Sequence, residues 1–231
     1  MKTWQKWLTA SVAVVAVGAV GGPFVYIHFI ERKAPAPLTI DTSSPSSDPT
    51  STTATASGSV DGTWSIASGS QVGYRVAEVL FGQSHTAVGR TSAITGSVTI
   101  AGANVPSAGF TVDMTTVASD QNRRDRQFQG RIMETSTFTT ATFKLTQPIV
   151  LGSLPADGVT STATAVGDLT LHGTKKRVTV KLTGVRSGGT IQVSGSIPVT
   201  FADYNISNPS FGPVTTENHG SLEFLLKLAH A

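Results

Sequence analysis

From Asp61 to the C-terminus, apolar and polar residues alternate with a period of two. Val72, Tyr74 and Val76 alternate with Gln71, Gly73 and Arg75. Val98 and Ile100 follow, then Phe110, Val112 and Met114, then Phe143 and Leu145. Leu169 and Leu171 share one face, as do Val178, Val180 and Leu182. Ile191, Val193, Ile197, Val199 and Phe201 form another row, and Leu222, Phe224, Leu226 and Leu228 the last. Gly102-Ala103-Asn104, Asp157-Gly158, His172-Gly173 and Gly188-Gly189 punctuate these runs where turns are needed. Alternation of this kind predicts about eight half-buried strands in an antiparallel sheet around one core. A closed barrel and a two-sheet sandwich both satisfy it.

One stretch departs from the pattern. Between the strands ending at Met114 and starting before Phe143 lies a charged segment, Arg123-Arg124-Asp125-Arg126, followed by Phe128, Ile132 and Met133. It predicts a short helix inserted among strands. Ser119 is placed as its N-cap, and Asp120 with Arg124 forms an i,i+4 pair.

The N-terminal region has a different character. Leu8–Ile30 is 23 residues without Asp, Glu, Lys or Arg, a helix of roughly 34 Å at about 1.5 Å per residue, long enough to cross a bilayer. Lys2 and Lys6 precede it and Trp4, Trp7, Tyr26 and Phe29 flank it. This predicts a single-pass signal anchor with its N-terminus in the cytoplasm and the remainder exported across a bacterial cell membrane. A cleaved signal peptide is the alternative, disfavoured by the length of the run and by Pro37 after Ala34-Pro35-Ala36. Ala34 to Ser59 is rich in Pro, Ser, Thr and Ala, which predicts a disordered spacer. The predicted layout is a cytoplasmic tip and transmembrane helix over 1–33, a linker over 34–60 and one β domain over 61–231.

Composition and charge narrow the function. Cysteine is absent, which excludes disulfides, thiolate metal sites and a cysteine nucleophile. From Asp61 onward, 13 Lys+Arg against 11 Asp+Glu leave +2, too little and too scattered for a nucleic-acid surface. No GxSxG, HExxH, GxGxxG or P-loop occurs. His85, His172, His219 and His230 lack ligand spacing and read as turn or surface histidines. Glu217-Asn218-His219 reads as a loop, and Asp113, Asp203 and Tyr204 are the only weak candidates for catalytic polar groups. No catalytic residue and no metal site is assigned. Trp64 reads as a core residue or barrel-end plug, and the arginines of the helix as a solvated face or a rim for a polar head group.

Two motifs carry more. Arg124-Asp125-Arg126-Gln127-Phe128 with Thr137-Phe138-Thr139-Thr140-Ala141-Thr142-Phe143 resembles the signature of YceI-like proteins. Gly167-Asp168-Leu169-Thr170-Leu171-His172-Gly173-Thr174-Lys175 resembles that family's hairpin, and Trp64-Ser65-Ile66 and Phe201-Ala202-Asp203-Tyr204 are weaker echoes in the right order. Two features depart from the family pattern. Ala77-Glu78-Val79-Leu80 stands where many members carry a histidine, and Gln127-Phe128-Gln129-Gly130 follows the arginine-aspartate motif.

The resemblance implies an all-β, lipocalin-like antiparallel barrel of about eight strands with one inserted helix. It further implies a binding protein, not an enzyme, that holds a polyisoprenoid or isoprenoid-quinone lipid as ligand and needs no catalytic cofactor. Candidate ligand-binding residues are Tyr74, Val76, Phe110, Val112, Phe128, Ile132, Phe143, Leu145, Leu169, Leu171, Val180 and Phe201. Arg124, Asp125 and Arg126 are candidates for a head-group rim, and Phe128 with Ile132 for a lid. The alternative is a surface β domain with a solid core that binds protein or glycan through its loops. A homo-oligomer is open but not indicated.

Overall fold

The structure is a computed structural model that describes residues 34–40, 60–80 and 82–231. The predicted transmembrane helix over 1–33 and most of the predicted linker lie outside the described residues.

The strands run β1 (Gly62–Ile66), β2 (Gln71–Leu80), β3 (Gln83–Thr91), β4 (Ile94–Ala101), β5 (Asn104–Asp113) and β6 (Ala118–Ser119). The helix α1 (Asn122–Gln127) and a π-helical turn (Phe128–Ile132) come next. Then follow β7 (Thr140–Leu145), β8 (Ile149–Val150), β9 (Ser161–Leu171), β10 (Thr174–Ser187), β11 (Thr190–Thr200), β12 (Val214–Thr216) and β13 (His219–His230).

β1 and β2 act as a single bent strand. Trp64 pairs with His230 and Leu225 with Gln71 along the same edge of β13. β3 and β4 likewise continue one another opposite them, from Leu80↔Gln83 through Val72↔Thr91 to Trp64↔Val98. The β1–β2 bend is held by Ser70, whose hydroxyl donates to the Ala67 carbonyl at 2.8 Å and accepts the Lys227 N–H at 2.8 Å. From there the chain meanders through β5, β7, β9, β10, β11 and β13, and β13 returns to pair with β1. The result is a closed eight-stranded antiparallel barrel, as the resemblance implied. The choice against a sandwich lies in the pairing of the first strand with the last. Closure removes the free edges that an open sheet would expose.

The alternating residues fall as predicted, with the apolar rows turned inward. β3 was not visible in the pattern. Its inward residues Ala87 and Gly89 are too small to register as an apolar row, yet they are what the interior requires there. The Tyr74 ring lies across Gly89, where a Cβ would stand 2.3 Å from it; Phe143 covers Gly167 in the same way, again at 2.3 Å. Phe110 over Gly96 and Phe224 over Gly195 repeat the arrangement. Each glycine gives room for a large ring from the neighbouring strand, which lets the barrel wall bend while the rings pack flat against it.

The helix is present but begins later than expected. Gln121, not Ser119, occupies the N-cap position. Ser119 sits in β6, where its hydroxyl accepts the Gln121 N–H at 3.2 Å and donates to Asp125 at 2.6 Å. The Asp120–Arg124 pair forms as predicted.

Residues 34–40, assigned by composition to the linker, lie on the outer wall. Glu223, 3% exposed, is clamped by Arg75 at 3.1 Å and Arg90 at 2.8 Å. The same guanidinium groups donate to the Pro35 and Ala36 carbonyls, the Leu38 N–H points at Glu223, and Ile40 is buried. Composition favours disorder in a Pro/Ser/Thr run, but Leu38 and Ile40 are its apolar residues and a charged clamp supplies donors for its carbonyls.

Candidate functional site

The barrel encloses a cavity of about 330 Å³ running through most of its length. This is near the lower end of the usual range for small-molecule sites, about 300–1,000 Å³. All the apolar candidates of the sequence reading, Tyr74 through Phe201, line it. They reach it from β2, β5, β7, β9 and β10, from the π turn, and from the 3₁₀ turn Phe201–Tyr204. A solid core is therefore not what this interior holds.

The two ends differ. At one end α1, the π turn and Phe201–Tyr204 close the barrel. Phe128 is buried there and stacks on Tyr74, with ring centroids 5.0 Å apart and planes 15° from parallel. Every lining residue at that end is buried or half-buried. Burial holds the Tyr74 hydroxyl well above its ordinary pKa, and the nearby Arg124 charge only partly opposes this. Tyr74 is thus a neutral phenol at any ordinary pH.

Arg124, Asp125 and Arg126 do not line the cavity. Arg124 bonds Glu78 of β2 at 3.2 Å and pairs with Asp120. Burial disfavours its charge, but the Glu78 and Asp120 carboxylates outweigh that and raise its pKa. Asp125 accepts from the Ser119 N–H at 2.8 Å and from its hydroxyl. The two residues tie α1 to β2 and β6, and Arg126 is exposed. Spacing along the helix put them near the barrel end but could not say that their polar atoms were already engaged.

The histidines also separate. His172 sits in the β9–β10 turn at φ 48° and is buried, not on the surface, edge-on to Phe138 at 4.4 Å with Nδ1 3.1 Å from the Tyr204 carbonyl. Trp64 plugs one sector at the opposite end, donating to the Val60 carbonyl at 2.9 Å. Asp113 caps the 3₁₀ turn Met114–Thr116 by accepting from Thr115, a structural task. Tyr204 is buried with its hydroxyl pKa raised by burial and by Asp203, while Asp203 lies at the surface beside Lys176. Neither Asp113 nor Asp203 nor Tyr204 lines the cavity.

The end away from α1 is open. Among the described residues, Leu154 and Val159, 45% and 51% exposed, are the only exposed side chains lining the cavity, and both belong to the β8–β9 loop. That loop packs on the β10–β11 hairpin, where the Gly158 N–H donates to the Arg186 carbonyl at 2.7 Å. Arg186 ends the inward row of β10 after Val178, Val180, Leu182 and Gly184, and among the described residues it is the only charged one of the lining. The sequence reading missed it, although two more steps of the same alternation beyond Leu182 lead to it.

A closed barrel, a single inserted helix and an apolar interior match one family. The sequence profile of the YceI-like domain covers residues 64–228. The chain belongs to the YceI-like family. Among the solved structures that share the fold of this YceI-like domain are two with a TM-score above 0.5. A polyisoprenoid binding domain from Saccharophagus degradans, implicated in plant cell wall breakdown, is 18% identical with a TM-score of 0.58, over 73% of this chain and 98% of that one. BcnA from Burkholderia cenocepacia is 22% identical with a TM-score of 0.51, over 67% and 95%. None of the curated proteins matches the chain.

Proposed function

We propose that this YceI-like barrel is a carrier that holds a polyisoprenoid, or a similar long-chain lipophile, inside its cavity. The observation that supports the reading most is the lining itself, which is apolar throughout except for a few hydroxyls and Arg186. The naming of the Saccharophagus degradans relative as a polyisoprenoid binding domain points the same way. The apolar residues from Tyr74 to Phe201 are proposed as the tail contacts, and no catalytic step or cofactor is assigned.

Hydrocarbon leaving water gains roughly 0.8 kcal/mol per CH₂. A bilayer offers the same tail nearly the same environment, so the net preference for the barrel over a membrane is small. Such a balance suits a transient holder that exchanges lipid near its source. The Leu8–Ile30 run supports the further reading that the barrel is tethered to a bacterial cell membrane on its extracytoplasmic side.

The test is native mass spectrometry of the full chain, purified in mild detergent from an isoprenoid-producing host, followed by lipid extraction and reloading. A prenyl species near one-to-one, or saturable reloading with isoprenoid quinones or polyprenyl phosphates, is expected. Failure to load any of them overturns the carrier reading.

A further inference from the structure

We propose that Arg186 receives the polar head of the bound isoprenoid by donating to an acceptor oxygen, so that the head sits at the open end and the tail runs inward toward Phe128. This rests on the carrier reading above and adds the direction and the head-group chemistry.

An apolar tube does not by itself orient a chain, because either end of a prenyl tail meets the same kind of wall. Orientation needs a polar group at one end of the cavity. Arg186 is that group. Its position on the inward face of β10, paired with Ile191 and bonded through its carbonyl to Gly158 of the β8–β9 loop, puts Arg186 in the lining at the end where Leu154 and Val159 are exposed. Its side chain is 27% exposed, and its Nε is buried without a hydrogen-bond partner. Asp157 approaches Nε at 3.5 Å, but its carboxylate accepts instead from the Gly188 N–H at 3.2 and 3.3 Å. Nε is closed off on the Asp157 side, so an acceptor oxygen at the mouth would be met by the accessible part of the guanidinium, whose hydrogen-bonding capacity Asp157 does not saturate. Gly184, one step inward on the same face, leaves room beside the guanidinium. Among the described residues the opposite end has no comparable group in the lining: Arg124 and Asp125 are already engaged in holding α1, and neither lines the cavity.

The chemistry fits an acceptor oxygen, which a quinone carbonyl and a prenyl phosphate both supply. Asp157 already offsets part of the guanidinium charge, so a neutral carbonyl docks without moving it, whereas a phosphate must displace it.

The experiment uses the full chain in mild detergent with three probes of matched tail length: an isoprenoid quinone, a polyprenyl phosphate and a headless isoprenoid hydrocarbon. The unsubstituted protein should bind at least one headed lipid about tenfold more tightly than the hydrocarbon, as one charge-assisted hydrogen bond allows. Arg186→Gln should erase that advantage and leave hydrocarbon binding unchanged, which also shows that the barrel is intact. Arg186→Lys should restore part of it, and Asp157→Asn should raise phosphate affinity relative to quinone if the head is anionic. An Arg186→Gln protein that keeps the full head preference, or that loses hydrocarbon binding to the same degree, overturns the inference while the carrier reading stands. If the unsubstituted protein binds none of the probes, the carrier reading itself falls.

Discussion

The ring of Phe128 lies stacked on that of Tyr74, 5.0 Å between centroids, and so joins the only inserted helix among the described residues to the barrel wall. Phe128 thereby closes one end of the cavity as part of the core, and its loss should be felt first as stability. Phe128→Ala is expected to cost about 3 kcal/mol, since a buried ring and its stacking contact with Tyr74 are both lost. Urea unfolding measures this. A change near zero would mean that the helix is a loose lid, able to open without disturbing the wall.

Gly89 and Gly167 separate two kinds of crowding. At Gly89 the three atoms nearest a Cβ all belong to the Tyr74 side chain, whereas at Gly167 it would also stand 2.7 Å from the Lys144 carbonyl oxygen. Each Gly→Ala change should destabilise by about 2 kcal/mol. In a Tyr74→Ala background the cost of Gly89→Ala should largely vanish. Removing Phe143 should not rescue Gly167→Ala in the same way, because backbone cannot move aside. Paired unfolding curves give the coupling directly, and equal coupling at the two sites would contradict this packing.

Glu223 holds the N-terminal strap through Arg75 and Arg90, so Glu223→Ala leaves two guanidinium groups without their carboxylate. The expected loss is about 2 kcal/mol, together with release of residues 34–40. Limited proteolysis should then cut between Ala34 and Ile40 at a rate well above that of the unsubstituted protein. Unchanged protection would show that Ile40 alone anchors the strap.

Both tyrosines of the barrel, Tyr74 and Tyr204, have hydroxyl pKa values raised by burial above the ordinary 10.0. Above that value the unfolded chain has released protons that the folded chain still holds. Stability from these groups is therefore complete below about pH 10 and declines as the pH rises beyond it. In an alkaline titration, near-UV tyrosinate absorbance from the barrel should appear together with loss of structure. Ionisation of both residues at the ordinary pKa in the folded protein would contradict their burial.

The position of the mouth has a kinetic consequence. Leu154→Asp and Val159→Asp should slow lipid loading several-fold, because a charge at the entrance must be passed by an apolar tail. Phe211→Ala, an equally exposed residue at the helix end placed between Arg123 and Arg131, should leave the loading rate unchanged. The reverse order of effects would place the entrance at the helix.

Period-two alternation alone determined which face of most strands would be apolar, the charged break at 123–133 added the inserted helix, and the resemblance added the barrel. Those features are legible because a side chain's face follows from its parity, and because a short motif states where strand gives way to helix. β3 was not legible, since its inward Ala87 and Gly89 form no apolar row and Gly89 owes its smallness to the Tyr74 ring on the neighbouring strand. The engagement of Arg124 and Asp125, the laying down of residues 34–40 and the burial of His172 also depended on partners distant in the chain. Closure through β1 and β13 and the open end at Leu154 and Val159, which makes the last inward residue of β10 a mouth residue, were decided only by tertiary structure. Register and closure set which strand ends meet, and parity along one strand carries no information about that.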